Sequence, residues 1–177
     1  MQDCKDILSA GEMEALLAGL ADQVIAVHKD CGNLALVGIQ RRGVDIARRL
    51  KDIIDARTGC VLPLGRLDIN LYRDDWTSLD VQPTISQTDI PFAIEGREIL
   101  LVDDVLFTGR TIRAALEAIL DFGRPRKVEL LVLVDRGNRE LPIEANFVGE
   151  RVDTHRGEHV NVYLSERDGE DRVCLVA

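Results

Sequence analysis

Two adjacent carboxylates, Asp103 and Asp104, are separated by three residues from the turn Thr108-Gly109-Arg110-Thr111. Ionised carboxylates only accept hydrogen bonds, which suits the hydroxyls of a sugar. The first amides of a helix have no intrahelical partner and lie at its positive end. If this turn opens a helix, Gly109, Arg110 and Thr111 present N–H groups and a hydroxyl to a phosphate. Glycine at 109 lets the backbone come close. The pair and the turn together describe a phosphosugar site.

Alone, an Asp-Asp pair reads as a turn cap beside a solvated charge. The whole run Glu98-Ile-Leu-Leu-Val-Asp-Asp-Val-Leu-Phe-Thr-Gly-Arg-Thr111 says more. It resembles the phosphoribosyl pyrophosphate motif of type I phosphoribosyltransferases, and so marks Val102, Asp103, Asp104, Val105, Leu106, Phe107, Thr108, Gly109, Arg110 and Thr111. Competing phosphate loops lack their signatures: no Gly-Lys-Ser/Thr ending closes this turn, and no Gly-x-Gly-x-x-Gly follows a strand. Arg41, Arg42 and Gly43, just past another strand end, are placed to meet a leaving pyrophosphate. Arg73 is expected to reach the same group from a closing loop.

Other reactive side chains carry less. His155 and His159 have the four-residue spacing of zinc ligands on a helix, but Gly157 lies between them and the surroundings read as a strand connection. His28 ends a helix, where a surface or helix-end role is expected. Trp76 reads as a packing residue, and no Ser-His-Asp set is discernible.

The elements that position the motif follow from periodicity. Ile99 to Val102 form an apolar strand that ends at the carboxylates. Ile112, Ala115, Leu116, Ile119 and Leu120 build one stripe of the following helix, stopped by Gly123 and Pro125. Upstream, Met13, Leu16, Leu17, Leu20, Val24 and Val27 predict a helix over 11–28 capped by Ser9. Leu34 to Ile39 predicts a buried strand, and Val44, Ala47, Leu50 and Ile54 the inner face of a second helix. Strands are also expected over Val61–Leu64, Leu67–Tyr72, Val128–Val134, Ala145–Val148, Val160–Leu164 and Val173–Val176. The polar stretch Arg73–Asp89, broken by Pro83, reads as a lid.

At 177 residues and 46% hydrophobic content, one domain spanning 1–177 with a substantial core is expected. Aromatics make up only 4%, so aliphatic residues must fill the interior, as in parallel sheets. A formal charge of −9 argues against indiscriminate polyanion binding. The four cysteines lack a Cys-x-x-Cys and are expected as reduced thiols in a cytoplasmic protein. The N-terminus lacks a basic region before an apolar stretch, and no run is long enough to span a membrane, so neither secretion nor insertion is expected.

A second block, Val134-Asp-Arg-Gly-Asn-Arg-Glu-Leu-Pro-Ile143, narrows the resemblance. With Leu36-Val-Gly-Ile-Gln-Arg-Arg-Gly43, Leu67-Asp-Ile-Asn-Leu-Tyr-Arg-Asp-Asp75 and the central motif, the chain from about Ile7 onward is similar to the PyrR family. Those proteins are pyrimidine operon attenuators that also act as uracil phosphoribosyltransferases. The resemblance implies an α/β fold of the type I phosphoribosyltransferase kind, with a mainly parallel central sheet, flanking helices and a small C-terminal β flap. It also implies transfer from phosphoribosyl pyrophosphate to uracil, giving UMP and pyrophosphate. Magnesium would be held through the substrate's diphosphate and ribose hydroxyls, with Asp103 as the side chain nearest to that task. Asp103 and Asp104 would hold the ribose, residues 108–111 the 5′-phosphate, Arg41, Arg42, Gly43 and Arg73 the pyrophosphate. Val134, Asp135 and Arg136 would border the base, and a homo-oligomer is expected.

The regulatory half of that resemblance departs from pattern. RNA-binding relatives carry basic groups on the first helix and after the Arg-Gly block. Here the first helix has Glu12, Glu14 and Asp22 with no lysine or arginine, and Glu144 and Glu150 replace basic positions. Like charge repels RNA phosphate, so weak or absent binding of an mRNA leader is expected. Arg136, Arg139 and Arg151 are the residues left to form a smaller basic patch. The alternatives are a UMP-responsive RNA-binding attenuator with little catalysis, and a phosphoribosyltransferase for another base, since a sugar site is shared while base choice lies in pocket shape.

Overall fold

Runs of Leu, Ile and Val become strands buried on both faces, as parallel strands between helical layers must be. The computed structural model describes residues 4–74 and 87–176. Its central sheet is all parallel, in the order β3-β2-β4-β5-β6, from β2 (Leu34–Ile39), β3 (Leu64–Leu67), β4 (Glu98–Leu106), β5 (Lys127–Asp135) and β6 (Phe147–Arg151).

Side-chain alternation divides the core. One face, including Leu34, Leu36, Leu100, Val102, Leu131 and Leu133, packs against α1 (Ala10–His28) and α2 (Arg42–Thr58). The other, including Ala35, Val37, Leu101 and Val132, packs against α3 (Arg110–Leu120). Helix α1 begins at the expected cap Ser9, which with Glu12 forms a capping box: the Ser9 side chain accepts from the Glu12 amide, and Glu12 accepts from the Ser9 amide at 2.8 Å. Two residues assigned to inner stripes lie largely outside, Val27 at 53% and Leu120 at 59% exposure. Each stands at or beside the last residue of its helix, where the packed layer has ended.

Several boundaries differ from expectation for identifiable reasons. The third strand starts at Leu64, not Val61, because Pro63 has no N–H and the Leu62 amide is spent on Asp55 Oδ1 at 2.9 Å. The alternating stretch Leu67–Tyr72 does not continue as a strand. Asp68 Oδ1 accepts the Asn70 amide at 2.9 Å, turning the chain into a 3₁₀ turn at Asn70–Tyr72. Most of the expected lid, residues 75–86, lies outside the described residues.

The flap draws on both chain ends. An N-terminal strand absent from the sequence reading, β1 (Cys4–Leu8), pairs antiparallel with β8 (Arg172–Val176), which also pairs with β7 (His159–Tyr163). The strand expected near Ala145–Val148 instead joins the central sheet as β6. Between β7 and β8 sits the short helix α4 (Ser165–Asp168). The pairing of the two ends overturns the expectation of four free thiols: Cys4 and Cys174 form a disulfide, their Cα atoms 5.9 Å apart, leaving Cys31 and Cys60 free. No local spacing announces a bond between cysteines 170 positions apart.

His28 is likewise not a surface group. Its side chain is 3% exposed, with Nδ1 2.9 Å from Glu98 and Nε2 2.7 Å from Glu129, at the N-terminal ends of β4 and β5. Both exposed histidines, 155 and 159, lie outside any grouping of metal-ligating side chains among the described residues.

Candidate active site

Strand β4 carries Asp103 and Asp104 near its C-terminal end, where ligands bind in open α/β sheets. Asp103 is buried and Asp104 half-buried. Asp103 Oδ1 accepts the Asp104 amide at 2.9 Å, and Asp104 Oδ1 accepts the Val105 amide at 2.9 Å. Burial, then the neighbouring Asp104 charge, holds the Asp103 carboxyl well above the ordinary carboxylate range. Among the described residues, no basic side chain forms a salt bridge with either aspartate.

Beyond β4 the chain turns at Phe107–Gly109 and enters α3. Gly109 has φ 92°, a left-handed conformation that side chains avoid, and stands as the residue before the helix. A cavity of about 340 Å³ opens over this turn, lined by Arg73, Asp74 and the continuous stretch from Val105 to Ile112. The structure thus brings Arg73 together with the phosphate-loop candidates. Arg110 turns its guanidinium sideways, to Asp74 at 2.6 Å and Glu140 at 2.8 Å. Arg113 Nη2 donates to the Tyr72 carbonyl at 2.6 Å, and Tyr72 Oη donates to Asp121, so the stem of the 73–89 segment is tied to α3.

The turn 40–43 carries β2 into α2, with Arg42 and Gly43 already in the first turn of the helix, and lies beside β4. Arg41 is exposed at the start of the helix, and the Gln40–Arg41 peptide is cis. Arg42 is half-buried and already engaged, with Nη2 3.0 and 3.2 Å from the two carboxylate oxygens of Asp168. Gly43 touches β4 next to Asp103.

The block 135–143 is where the side chains differ most from expectation. Asp135 and Arg136 are buried, and their functional groups are spent on the protein. Burial pushes Asp135 upward, but Arg139, the Gly137 amide and the Arg151 charge together hold it below the usual carboxylate range. The Arg136 guanidinium lies 3.9 Å from the centre of the Phe107 ring and donates to Thr154 Oγ1 and the His155 carbonyl, each at 3.1 Å. Burial lowers its pKa. Arg139 donates to Asp135 at 2.6 Å, to Ile143 O at 2.9 Å and to Phe107 O at 3.0 Å. The Glu140 and Leu141 amides bond to Thr108 O at 2.9 and 3.1 Å.

The second block is therefore a brace under the turn at residues 107–109. Arg136 and Arg139 do not form the surface patch assigned to them; only Arg151 of the three is largely exposed, at 73%, and it pairs with Asp135. The bracing role of Arg139 leaves no mark on residue type because the acceptors it finds at Phe107 and Ile143 are backbone carbonyls. Arg139 does lie inside a quoted motif, whereas Arg167 and Asp168, bonded to the loop 40–43 from α4, belong to no motif.

A family model described as "Phosphoribosyl transferase domain" matches residues 3–167. Two similar proteins carry the name bifunctional protein PyrR. That from Caldicellulosiruptor bescii is 49% identical over 175 residues, spanning 99% of this chain and 96% of the other. That from Thermus thermophilus is 51% identical over 170 residues, spanning 96% and 94%. Among solved structures, a hypoxanthine phosphoribosyltransferase from Staphylococcus aureus superposes with a TM-score of 0.71 at 20% identity, covering 98% of this chain and 92% of that one. The Trypanosoma cruzi enzyme gives 0.74 at 17%, covering 97% and 95%. At such identities the likeness speaks for the fold alone.

Proposed function

The chain belongs to the PyrR family of phosphoribosyl transferases, and from that premise we propose that it transfers the phosphoribosyl group of phosphoribosyl pyrophosphate to uracil, yielding UMP and pyrophosphate. The observation that carries this reading is the junction at residues 102–111. Buried and half-buried carboxylates end a parallel strand, and a glycine turn lines a cavity as it enters a helix.

Residues 108–111 would receive the 5′-phosphate, Asp103 and Asp104 the ribose, the loop 41–43 and Arg73 the diphosphate. Val134, Asp135 and Arg136 would border the base, with backbone groups facing it because the two polar side chains are committed elsewhere. Displacement at an anomeric carbon passes through an oxocarbenium-like state, for which alignment and charge stabilisation matter more than a protein nucleophile. The fixed phosphate loop aligns the sugar; Asp103 and Asp104 offset the positive charge that develops on its ring.

Magnesium suits this donor set, since two hard carboxylates that have no basic partner among the described residues offer oxygen ligands where a diphosphate also would. When bound through the substrate's diphosphate and ribose hydroxyls, it would neutralise charge on the departing diphosphate, with Asp103 as the side chain nearest to that task. Assembly into a homo-oligomer belongs to the same reading.

We infer further that catalysis is retained while recognition of an mRNA leader is weak. Glu12, Glu14 and Asp22 are exposed on α1, Glu144 is exposed before β6, and Arg136 and Arg139 are held inside.

Initial rates with phosphoribosyl pyrophosphate, magnesium and each of uracil, orotate, hypoxanthine and guanine test the assignment. UMP formation from uracil in preference to the other products is expected. Turnover of another base with none of uracil would replace the substrate, and no turnover of any would remove the enzymatic reading.

A further inference from the structure

Helix α4 is 126 positions from the loop 40–43 along the chain, yet two of its four residues bond to that loop. Arg42 Nη2 meets both oxygens of Asp168. Arg167 Nη2 donates to the Arg41 carbonyl at 3.4 Å, and its Nε donates to Asp45, buried in the first turn of α2. Asp168 is itself anchored by the Leu164 amide at 2.8 Å, which, with Arg42, holds its carboxyl below the ordinary range. The whole turn is fastened to α2 a second time: Arg49 reaches Ser165 at 3.0 Å, Glu166 at 2.7 Å and Asp171 at 2.8 Å.

An arginine that must be ordered when its ligand arrives loses binding free energy, while one already held does not. Asp168 uses one terminal nitrogen of Arg42 and so leaves the other available to a ligand oxygen. The Arg41 carbonyl, held by Arg167 and by the Val44 amide at 3.2 Å, likewise limits how the loop backbone can turn.

We propose that Arg167 and Asp168 are positioning residues for the diphosphate, holding Arg42 and the backbone of 40–43 in one arrangement before the substrate arrives. This rests on the reading of the loop 41–43 as the diphosphate site. Neither residue touches the phosphate loop or the ribose carboxylates in the bonds described, so their effect is confined to ligands that carry a diphosphate. UMP, which has the 5′-phosphate and the ribose but no diphosphate, is the internal control.

The experiment compares the full-length protein with Asp168→Asn and Arg167→Gln, measuring KM for phosphoribosyl pyrophosphate, inhibition by inorganic pyrophosphate, and UMP affinity by calorimetry. Both variants are expected to weaken pyrophosphate and the donor about tenfold, the effect of one lost charge-assisted hydrogen bond, and to keep UMP affinity within about twofold. Asp168→Glu, which retains the charge, is expected to recover pyrophosphate affinity at least in part. Equal losses for UMP and pyrophosphate would show a general loosening of the flap and overturn the proposal. Unchanged or tighter pyrophosphate binding would overturn it as well. Should Asp168→Asn fail to fold, Arg167→Gln supplies the same comparison. A wild-type protein that ignores pyrophosphate while binding UMP would instead remove the assignment of the loop itself.

Discussion

Gly43 packs directly on Val102: a Cβ at position 43 would stand 2.5 Å from the Val102 carbonyl oxygen and 3.2 Å from the Cα of Asp103. The absence of a side chain is what lets the start of α2 lie against the end of β4. The pairing of β2 with β4 sets the turn 40–43 beside the carboxylate pair, and this contact lets the two backbones meet there.

Gly43→Ala must therefore push the two apart. Overpacking of this kind costs about 1–3 kcal/mol, and it is expected to raise KM for phosphoribosyl pyrophosphate more than KM for uracil. Thermal unfolding and initial rates check both parts; an unchanged donor KM would mean that the contact is not functional.

Asp104→Asn keeps the shape of the strand end and removes a charge from the group proposed to hold the ribose. Loss of one preorganised electrostatic group predicts turnover reduced by about two orders of magnitude or more. Steady-state kinetics of the variant measure it, with wild-type values counting against the assignment.

The flap network should be visible in acid. Arg49, by its hydrogen bonds, holds Glu166 and Asp171 below the ordinary carboxylate range. Carboxylates with a depressed folded pKa contribute stability above their unfolded pKa and lose it as pH falls through the folded value. The melting temperature is expected to decline from the ordinary carboxylate range downward. Arg49→Met should start lower at neutral pH and decline less steeply; parallel curves for the two proteins would exclude this coupling.

Reduction of Cys4–Cys174 frees the N-terminal strand from a loop of 170 positions. Disulfides of this kind contribute about 2–4 kcal/mol, so reductant or Cys4→Ser is expected to lower the melting temperature by roughly 5–15 °C. Thiol counting on the unfolded protein checks the bond directly, with two reactive thiols expected before reduction and four after it.

For RNA, a gel-shift titration with the cognate leader and UMP is expected to show weak or no specific complex. Glu12 and Glu14 are exposed on a helix that carries no lysine or arginine, while Asp22 is paired with Arg57 of α2. Submicromolar specific binding would reverse that reading.

The amino-acid sequence by itself determined the parts whose physics is local. Apolar runs of fixed period specify buried strands and helix stripes, Ser9 marks a helix start, and the order strand, carboxylates, glycine turn, helix marks the junction proposed to hold a phosphosugar. The three helices α1, α2 and α3 and the strands β2, β4 and β5 were legible for that reason. Only the tertiary structure decided which distant groups meet. It paired the chain ends as β1 and β8, moved β6 into the central sheet, enclosed His28 between two glutamates, committed Arg139 to the phosphate loop and delivered Asp168 to Arg42. Residue type and spacing encode what a side chain can do, whereas its partner is set by where sheet order and packing bring the chain back. A bond across 126 or 170 positions, or one made to a backbone carbonyl, leaves no periodic trace.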